Sequence, residues 1–368
     1  MLNLKGKSLM KVLGIETSCD ETSASIVEEG FKLLSLVTNS QIDTHTAFGG
    51  VIPEVAAREH VGVIIPVVDQ ALREANLSLN DIDAIAVTNG PGLIGSLMIG
   101  VQTAKALSLA TGIPVYPVHH VIGHVYANFI TESRVKLNQP LPSKQPHLPM
   151  LALIVSGGHT QLMYFEYHLK FSIVGRAIDD AVGEAFDKVA KIMHLPYPGG
   201  ISVSKRAVNG DSKAYHLPKP KTESEFDFSF SGLKTATLRT AQTAANGDYT
   251  LPSLAIADKL TSEQIDDFCA SFEDTALDYL VEKTKSAYLK FNPKSVVIGG
   301  GVAASPVLRT KLKAALGTEI EYAPMELCTD NAAMIAAAGY FYSKKIDPTP
   351  IDQIRIEPNK RSFRGFIE

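Results

Sequence analysis

Two histidines set four residues apart, His120 and His124 in PVHHVIGH, are the first residues in this sequence whose type and spacing suggest chemistry. On a helix, residues i and i+4 share a face, so both imidazoles can reach one metal ion. The same spacing occurs in zinc proteases, but there a glutamate follows the first histidine, and here that place is held by Val121. Two histidines are half a metal site. A third ligand is available in Asp330 of LCTDNAAMIAAAG, yet an aspartate just before an apolar helix can equally be its N-cap, and spacing alone leaves both readings open. Asp20 and Glu21 stand beside Thr17 and Ser18 in another polar segment, where a carboxylate can orient a nucleophile or simply form the turn.

The elements that position these residues follow from the apolar pattern. VLGIETSCDETSASIVEEG, beginning after Lys11, reads as strand, polar turn and second strand. LALIVSGGHTQLMYF, from Leu151, repeats that arrangement around Gly157 and Gly158. A third strand, SVVIGGGVAAS from Ser295, runs through Gly299, Gly300 and Gly301 into the helical pattern PVLRTKLKAAL. Backbone N–H groups of such turns can converge on phosphate oxygens, and glycine lets the anion approach closely. One such turn could serve packing only; three in this order predict a nucleotide-binding α/β protein of the actin-like ATPase architecture. It is expected as two domains, each a mixed sheet flanked by helices, with nucleotide and metal in the cleft between them. The boundaries read as a leader at 1–10, domains at 11–130 and 150–345, a linker at 131–149 and a tail at 346–368.

Helices are predicted from Ile52 to Ala75, Ser96 to Thr111 and Ser262 to Lys290. In AIDDAVGEAFDKVAK, a stripe of Val182, Phe186, Val189 and Met193 leaves Asp180, Glu184 and Asp187 grouped on another face, able to hold ribose hydroxyls or merely to be solvated. The stretch from Asn209 to Phe230 reads as an insertion or mobile segment.

Composition narrows the class. The 368 residues are 45% hydrophobic and 20% charged, ordinary for a globular protein. Lys+Arg 35 against Asp+Glu 39 gives a net charge of −4, so any nucleic-acid contact needs a local patch or a partner protein. The tail offers one such patch in Arg355, Lys360, Arg361 and Arg364. Three scattered cysteines, no apolar run long enough for a membrane span and no secretion signal lead to an expectation of a cytoplasmic protein with no membrane association.

Taken together, GIETSCDETS, HHVIGH, LIVSGGHTQL, DDAVGEAFDKVAK, YPGG, FSFSGLKT, GGGVAAS and TDNAAMIA resemble, in order and over nearly the whole chain, the tRNA N6-adenosine threonylcarbamoyltransferase family, often called TsaD or Gcp. The resemblance implies transfer of threonylcarbamoyl from threonylcarbamoyl-AMP to N6 of adenine 37 in tRNAs that read ANN codons, forming t6A. It makes His120, His124 and Asp330 the ligands of a divalent metal, iron or zinc. It places adenine nucleotide (threonylcarbamoyl-AMP, or ATP, ADP or AMP) at Ile154, Val155, Ser156, Gly157, Gly158, Asp187 and Gly200, with Gly300 and Gly301 nearby, and matches Asp20 to an acidic residue that assists the chemistry. Ser204 and Ser305 stand where the family's pattern has Asp and Asn. Partners implied are tRNA, a paralogous TsaB-like subunit and a small TsaE-like ATPase. The competing readings are an ATPase or small-molecule kinase of the same fold, a metalloprotease and a non-catalytic scaffold. The His120/His124 pair has no use in the kinase or scaffold, and the protease lacks its base.

Overall fold

The computed structural model describes residues 9–318, 320 and 322–359. Most of the expected leader, and the tail's Lys360, Arg361 and Arg364, lie outside the described residues. In chain order the elements are β1 (Lys11–Glu16), β2 (Glu21–Glu28), β3 (Lys32–Ser40), α1 (Ile42–Thr46), α2 (Pro53–Glu74), β4 (Ala84–Gly90), α3 (Ile94–Thr111), β5 (Val115–His119), α4 (His120–Tyr126) and β6 (Glu132–Ser133). They continue with β7 (Met150–Val155), β8 (Thr160–Tyr167), β9 (Lys170–Arg176), α5 (Val182–Ile192), α6 (Gly199–Ala207), α7 (Ser231–Ala244), α8 (Ser262–Phe291), β10 (Ser295–Gly299), α9 (Pro306–Leu316), α10 (Met325–Cys328) and α11 (Ala332–Ser343).

The chain forms two compact units, one built from residues up to Gln41, Ile52–Gln145 and the chain from Ala323, the other from Ile42–Val51 and Pro146–Tyr322. The first unit holds a six-stranded sheet in the order β5-β4-β1-β2-β3-β6. β1 is central, antiparallel to β2 and parallel to β4. A strand with both neighbours must bury both faces, and alternation divides its side chains accordingly. Leu13 and Ile15 join Val67, Val68, Val101 and Ala104 in the core formed with α2 and α3, while Gly14 faces α11. A Cβ on Gly14 would lie 2.2 Å from the carbonyl oxygen of Ala332, and one on Gly339 would lie 2.4 Å from Ala86 Cβ. Missing side chains on both surfaces let helix and sheet approach more closely than alanine permits.

This packing moves a boundary read from the sequence. The sequence placed α11 with the second half, through residue 345, but AAMIAAAGYFYS carries no charge and is buried against β1, β2 and β4 of the first unit. The chain therefore passes into and out of the first unit several times, instead of crossing once within 131–149. Beyond α11, Ile354 enters the core on the other face of the sheet, with residues of α2 and α3.

The second unit contains the sheet β10-β7-β8-β9, with β10 and β7 parallel and the rest antiparallel. Its long helix α8 starts at a capping box, in which Gln264 N donates to Thr261 Oγ1 and Thr261 N to Gln264 Oε1. The segment from Asn209 to Phe230, expected as an insertion or mobile stretch, has little regular structure but is fastened along α8. Tyr215 stacks on Phe268 at 3.7 Å, Lys213 pairs with Asp274 at 2.6 Å, and Phe228 and Phe230 are fully buried. Aromatic anchors spaced along an irregular chain give no periodic signal. Among the described residues, no helix is long and apolar enough to cross a membrane.

Gly14→Ala forces apart the backbone of α11 and β1. It is expected to lower unfolding stability by about 1–3 kcal/mol, as overpacked cores do, measured by chemical denaturation; a variant as stable as the parent would show that the helix has room to move.

Candidate metal centre and glycine turns

The first unit assembles the histidine pair with Asp330. β5 leads directly into α4, and His119 caps that helix by accepting Val121 N–H at Nδ1 (3.2 Å). His120 and His124 then lie one turn apart with their rings edge to face at 4.7 Å. Gly123, between them, turns toward α11, where a Cβ would meet Ile335 Cδ1 at 2.7 Å. At the start of α11 the capping role belongs to Asn331, whose Oδ1 accepts Met334 N–H (3.0 Å), while Ala332 N–H donates to Ser23 Oγ (3.0 Å). Asp330 is thus not the cap. Its Oδ1 lies 3.5 Å from His120 Nε2 and 3.2 Å from His124 Nε2, and one ligand atom from each of the three residues falls within 4.8 Å of the others.

The donor set fits a divalent cation. Both ring nitrogens of His124 are buried without a hydrogen-bond partner, Nε2 lying 3.2 Å from Asp330 Oδ1. A polar atom left in that state costs about 1–3 kcal/mol, and a metal at Nε2 would relieve it. Two imidazoles and one carboxylate are also the donor types that suit zinc or iron, and such a set leaves coordination positions open.

Glu16, part of GIETSCDETS but not among the site residues expected from the sequence, supports this site. It is the last residue of β1 and fully buried; its carboxylate accepts Ser18 N–H (2.6 Å) and the Thr88 hydroxyl, and lies 3.3 Å from His120 Nδ1, beside Ser18 Oγ at 3.1 Å. With Nδ1–H directed at these oxygens, Nε2 is the nitrogen presented to a metal. The available signal was a carboxylate directly after the uncharged run Val12–Ile15, all buried within β1.

The electrostatics are those of a site short of positive charge. Burial alone would lower the His120 pKa, but the negative charges of Asp330 and Glu16 outweigh it and push it up to about 9. Burial would likewise raise Glu16, and the His120 charge and hydrogen bond reverse this, holding it below the usual range. Burial, then the neighbouring Asp20 charge, pushes Glu21 up to about 10, so it is protonated at neutral pH and donates a hydrogen bond to Asp20. The Cys19 thiol is also raised, by burial and by Asp20 and Asp330.

The second unit brings together the glycine turns. In the turn after β7, Ser156 N donates to His159 O (2.8 Å), and His159 N to Ser156 Oγ (3.2 Å). Gly300 adopts φ +91, and a Cβ there would meet Val155 O at 2.4 Å; one on Gly183 would meet Ser156 O at 2.5 Å. The starts of α5 and of the segment after β10 are thereby held against one turn. Gly157, Gly158, Gly200 and Gly301 have open space where a Cβ would be. Ile154 and Val155 are fully buried strand residues, so their side chains belong to the core. Asp187 Oδ1 accepts Gly199 N–H at 2.7 Å; its pKa is raised by burial, against that hydrogen bond. Ser204 donates to Glu273 of α8, and Ser305 Oγ caps α9 by accepting Leu308 N–H (3.3 Å). Asp180 is not on the carboxylate face expected for α5. It precedes the helix and pairs with Lys234 (2.6 Å) and Lys188 (3.1 Å), while Glu184 also pairs with Lys188.

The model of the family described as "TsaD: tRNA N6-adenosine threonylcarbamoyltransferase" matches residues 32–337. The chain belongs to this family. A tRNA N6-adenosine threonylcarbamoyltransferase of Symbiobacterium thermophilum is 45% identical over 92% of this chain and 93% of that protein. One of Bacillus subtilis is 46% identical over 90% of each. Among solved structures, HypF of T. kodakarensis is similar at a TM-score of 0.56 and 11% identity, covering 92% of this chain and 49% of that one. The likeness is one of fold, and the two helix-flanked mixed sheets are the actin-like ATPase architecture read from the glycine turns.

A metal entering the triad must displace the proton from His120, so apparent affinity depends on pH. Below about 9 the proton competes, and affinity is expected to rise by about tenfold per pH unit as pH climbs from 6.5 towards that value. Chelator-competition titration with Zn(II) across this range checks the slope; a flat profile would remove His120 from the ligand set.

Proposed function

We infer that this chain transfers a threonylcarbamoyl group from threonylcarbamoyl-AMP to N6 of adenine 37 in tRNAs reading ANN codons. The observation that carries the reading is the His120/His124/Asp330 cluster, brought together by α4 and α11 in a chain of this family. A kinase or ATPase of the same fold has no need of that cluster, and a protease would need a base where Val121 stands.

In this reading His120, His124 and Asp330 hold a divalent ion, Fe(II) in preference to Zn(II). Bound there, the ion supplies a Lewis acid and open positions for oxygen atoms of the acyl group. Glu16 and Ser18 fix the orientation of His120. The N6 amine attacks the carbamoyl carbonyl carbon, the bond from that carbon to the phosphate oxygen breaks, AMP leaves and N6 gives up one proton. Asp20 accepts that proton, with Glu21 hydrogen-bonded beside it. The donor is an activated anhydride with a good leaving group, so alignment of a weakly nucleophilic amine is the main task. Backbone N–H groups of Ser156–Gly158 and of Gly300–Gly301 take the phosphate. Asp187, Gly200, Ser204 and Ser305 serve the nucleoside, with the Ser204 and Ser305 hydroxyls in place of the family's Asp and Asn.

tRNA is the acceptor. With a net charge of −4, the phosphate contacts are assigned to a local patch and to a paralogous TsaB-like partner, with a small TsaE-like ATPase completing the system in a bacterial cytoplasm. Incubating unmodified ANN-reading tRNA with the chain, its paralogous partner and threonylcarbamoyl-AMP should yield threonylcarbamoyladenosine by nucleoside mass spectrometry. Asp20→Asn is expected to slow formation by about 10²–10⁴-fold, and His120→Ala to abolish it. Full product from either variant would overturn that residue's assignment, and none from the parent would return the ATPase reading.

A further inference from the structure

We propose that His60, on α2, is a positioning residue that holds the acidic turn in its working shape; this rests on the reading that Asp20 acts in the transfer. Three successive carbonyls of the turn are each held from a different part of the chain: the residue before α3, α2, and the residue after β3. Ser18 O accepts Leu93 N–H (2.8 Å), Cys19 O accepts from His60 Nε2 (2.9 Å), and Asp20 O accepts Gln41 N–H (3.0 Å). Two of these donors are backbone groups supplied by the fold whatever the side chains. The middle one is a single imidazole, fully buried, and it depends on the residue at position 60.

The ring is bonded at both ends. A carbonyl only accepts, so Nε2 carries hydrogen, and the Thr22 hydroxyl lies 2.6 Å from Nδ1. Cys19 and Thr22 flank Asp20 and Glu21 in the chain, so one side chain bridges the Cys19 carbonyl on one side of both carboxyl groups and the Thr22 hydroxyl on the other. A residue needed only to fill a fully buried slot beneath α2 would be apolar; an imidazole with both nitrogens used fits a bridge of fixed length. The turn also has little freedom to shift elsewhere, since a Cβ on Gly92 would already meet Ser18 O at 2.5 Å. His60 touches neither the triad nor Glu16 in any of these bonds, and its effect is on the placing of Asp20 and Glu21.

The test uses the full chain with metal and its paralogous partner, comparing His60→Leu, His60→Gln, Thr22→Val and Asp20→Asn. Loss of the clasp is expected to lower kcat by about 10–100-fold in His60→Leu, the range that small misplacements of a reacting group produce. KM for tRNA and metal content should stay within about twofold of the parent. Gln keeps a terminal N–H donor, and His60→Gln should recover most of kcat. A His60→Leu enzyme with parental kcat overturns the proposal, as does one that loses kcat, tRNA affinity and metal together with no rescue by Gln, the pattern of a purely structural residue. If His60→Leu does not fold, Thr22→Val decides: a kcat-selective loss supports the clasp, and parental kcat overturns it. Parental activity in Asp20→Asn would instead sink the role of Asp20, which separates the two failures.

Discussion

The close approach of α11 to β1 and α4 is the contact on which the metal centre depends. Gly14 on the strand and Gly123 on the helix each lack the atom that would collide with α11, at 2.2 Å from Ala332 O and 2.7 Å from Ile335 Cδ1. Because these glycines lie beside the two arms of the site, the start of α11 is set down next to the histidines. The helix end is satisfied by Asn331 and Ser23, so Asp330 is available for another task. Packing thus selects between the two roles that an aspartate before a helix can play.

Electrostatics then give the assembled groups a shared requirement. Glu16, Asp20, Glu21 and Asp330 crowd a largely buried region in which His120 supplies positive charge by taking up a proton, and Glu21 avoids negative charge by keeping one. Such an arrangement favours a divalent cation, which can replace the imidazolium proton and give His124 Nε2 a partner at once. The second unit relies on backbone in place of charge. Its turn after β7 is held by Gly183 and Gly300, while Gly157, Gly158 and Gly301 have open space where a Cβ would be.

Much of this was legible in the sequence because the signals were periodic or local. The hairpins beginning at Lys11 and Leu151, the strand at Ser295 and the helices at Pro53 and Ser262 follow from alternation, turn residues and caps. The His120/His124 spacing survives intact because α4 begins at His120. What could not be read depended on contacts between distant segments. Glu16 and His60 gain their roles from partners 104 and 41 residues away; the apolar run before Glu16 hints that its charge has a use, but not which one. Asp180 was grouped with a helix that begins two residues later, and α11 was assigned to the wrong half because an alanine-rich helix fits any apolar surface until its glycine contacts are known. Ser204 looked like a lost carboxylate; α8 places Glu273 against its hydroxyl.

Close packing of α11 brings two histidines and Asp330 together as one candidate metal site. X-ray absorption at the metal edge of the chain loaded with one equivalent of Zn(II) tests it most directly. Scattering is expected from two imidazole nitrogens at about 2.0–2.1 Å with oxygen in the remaining positions, and no sulfur. A spectrum with one imidazole or none, or with sulfur from Cys19, would contradict it.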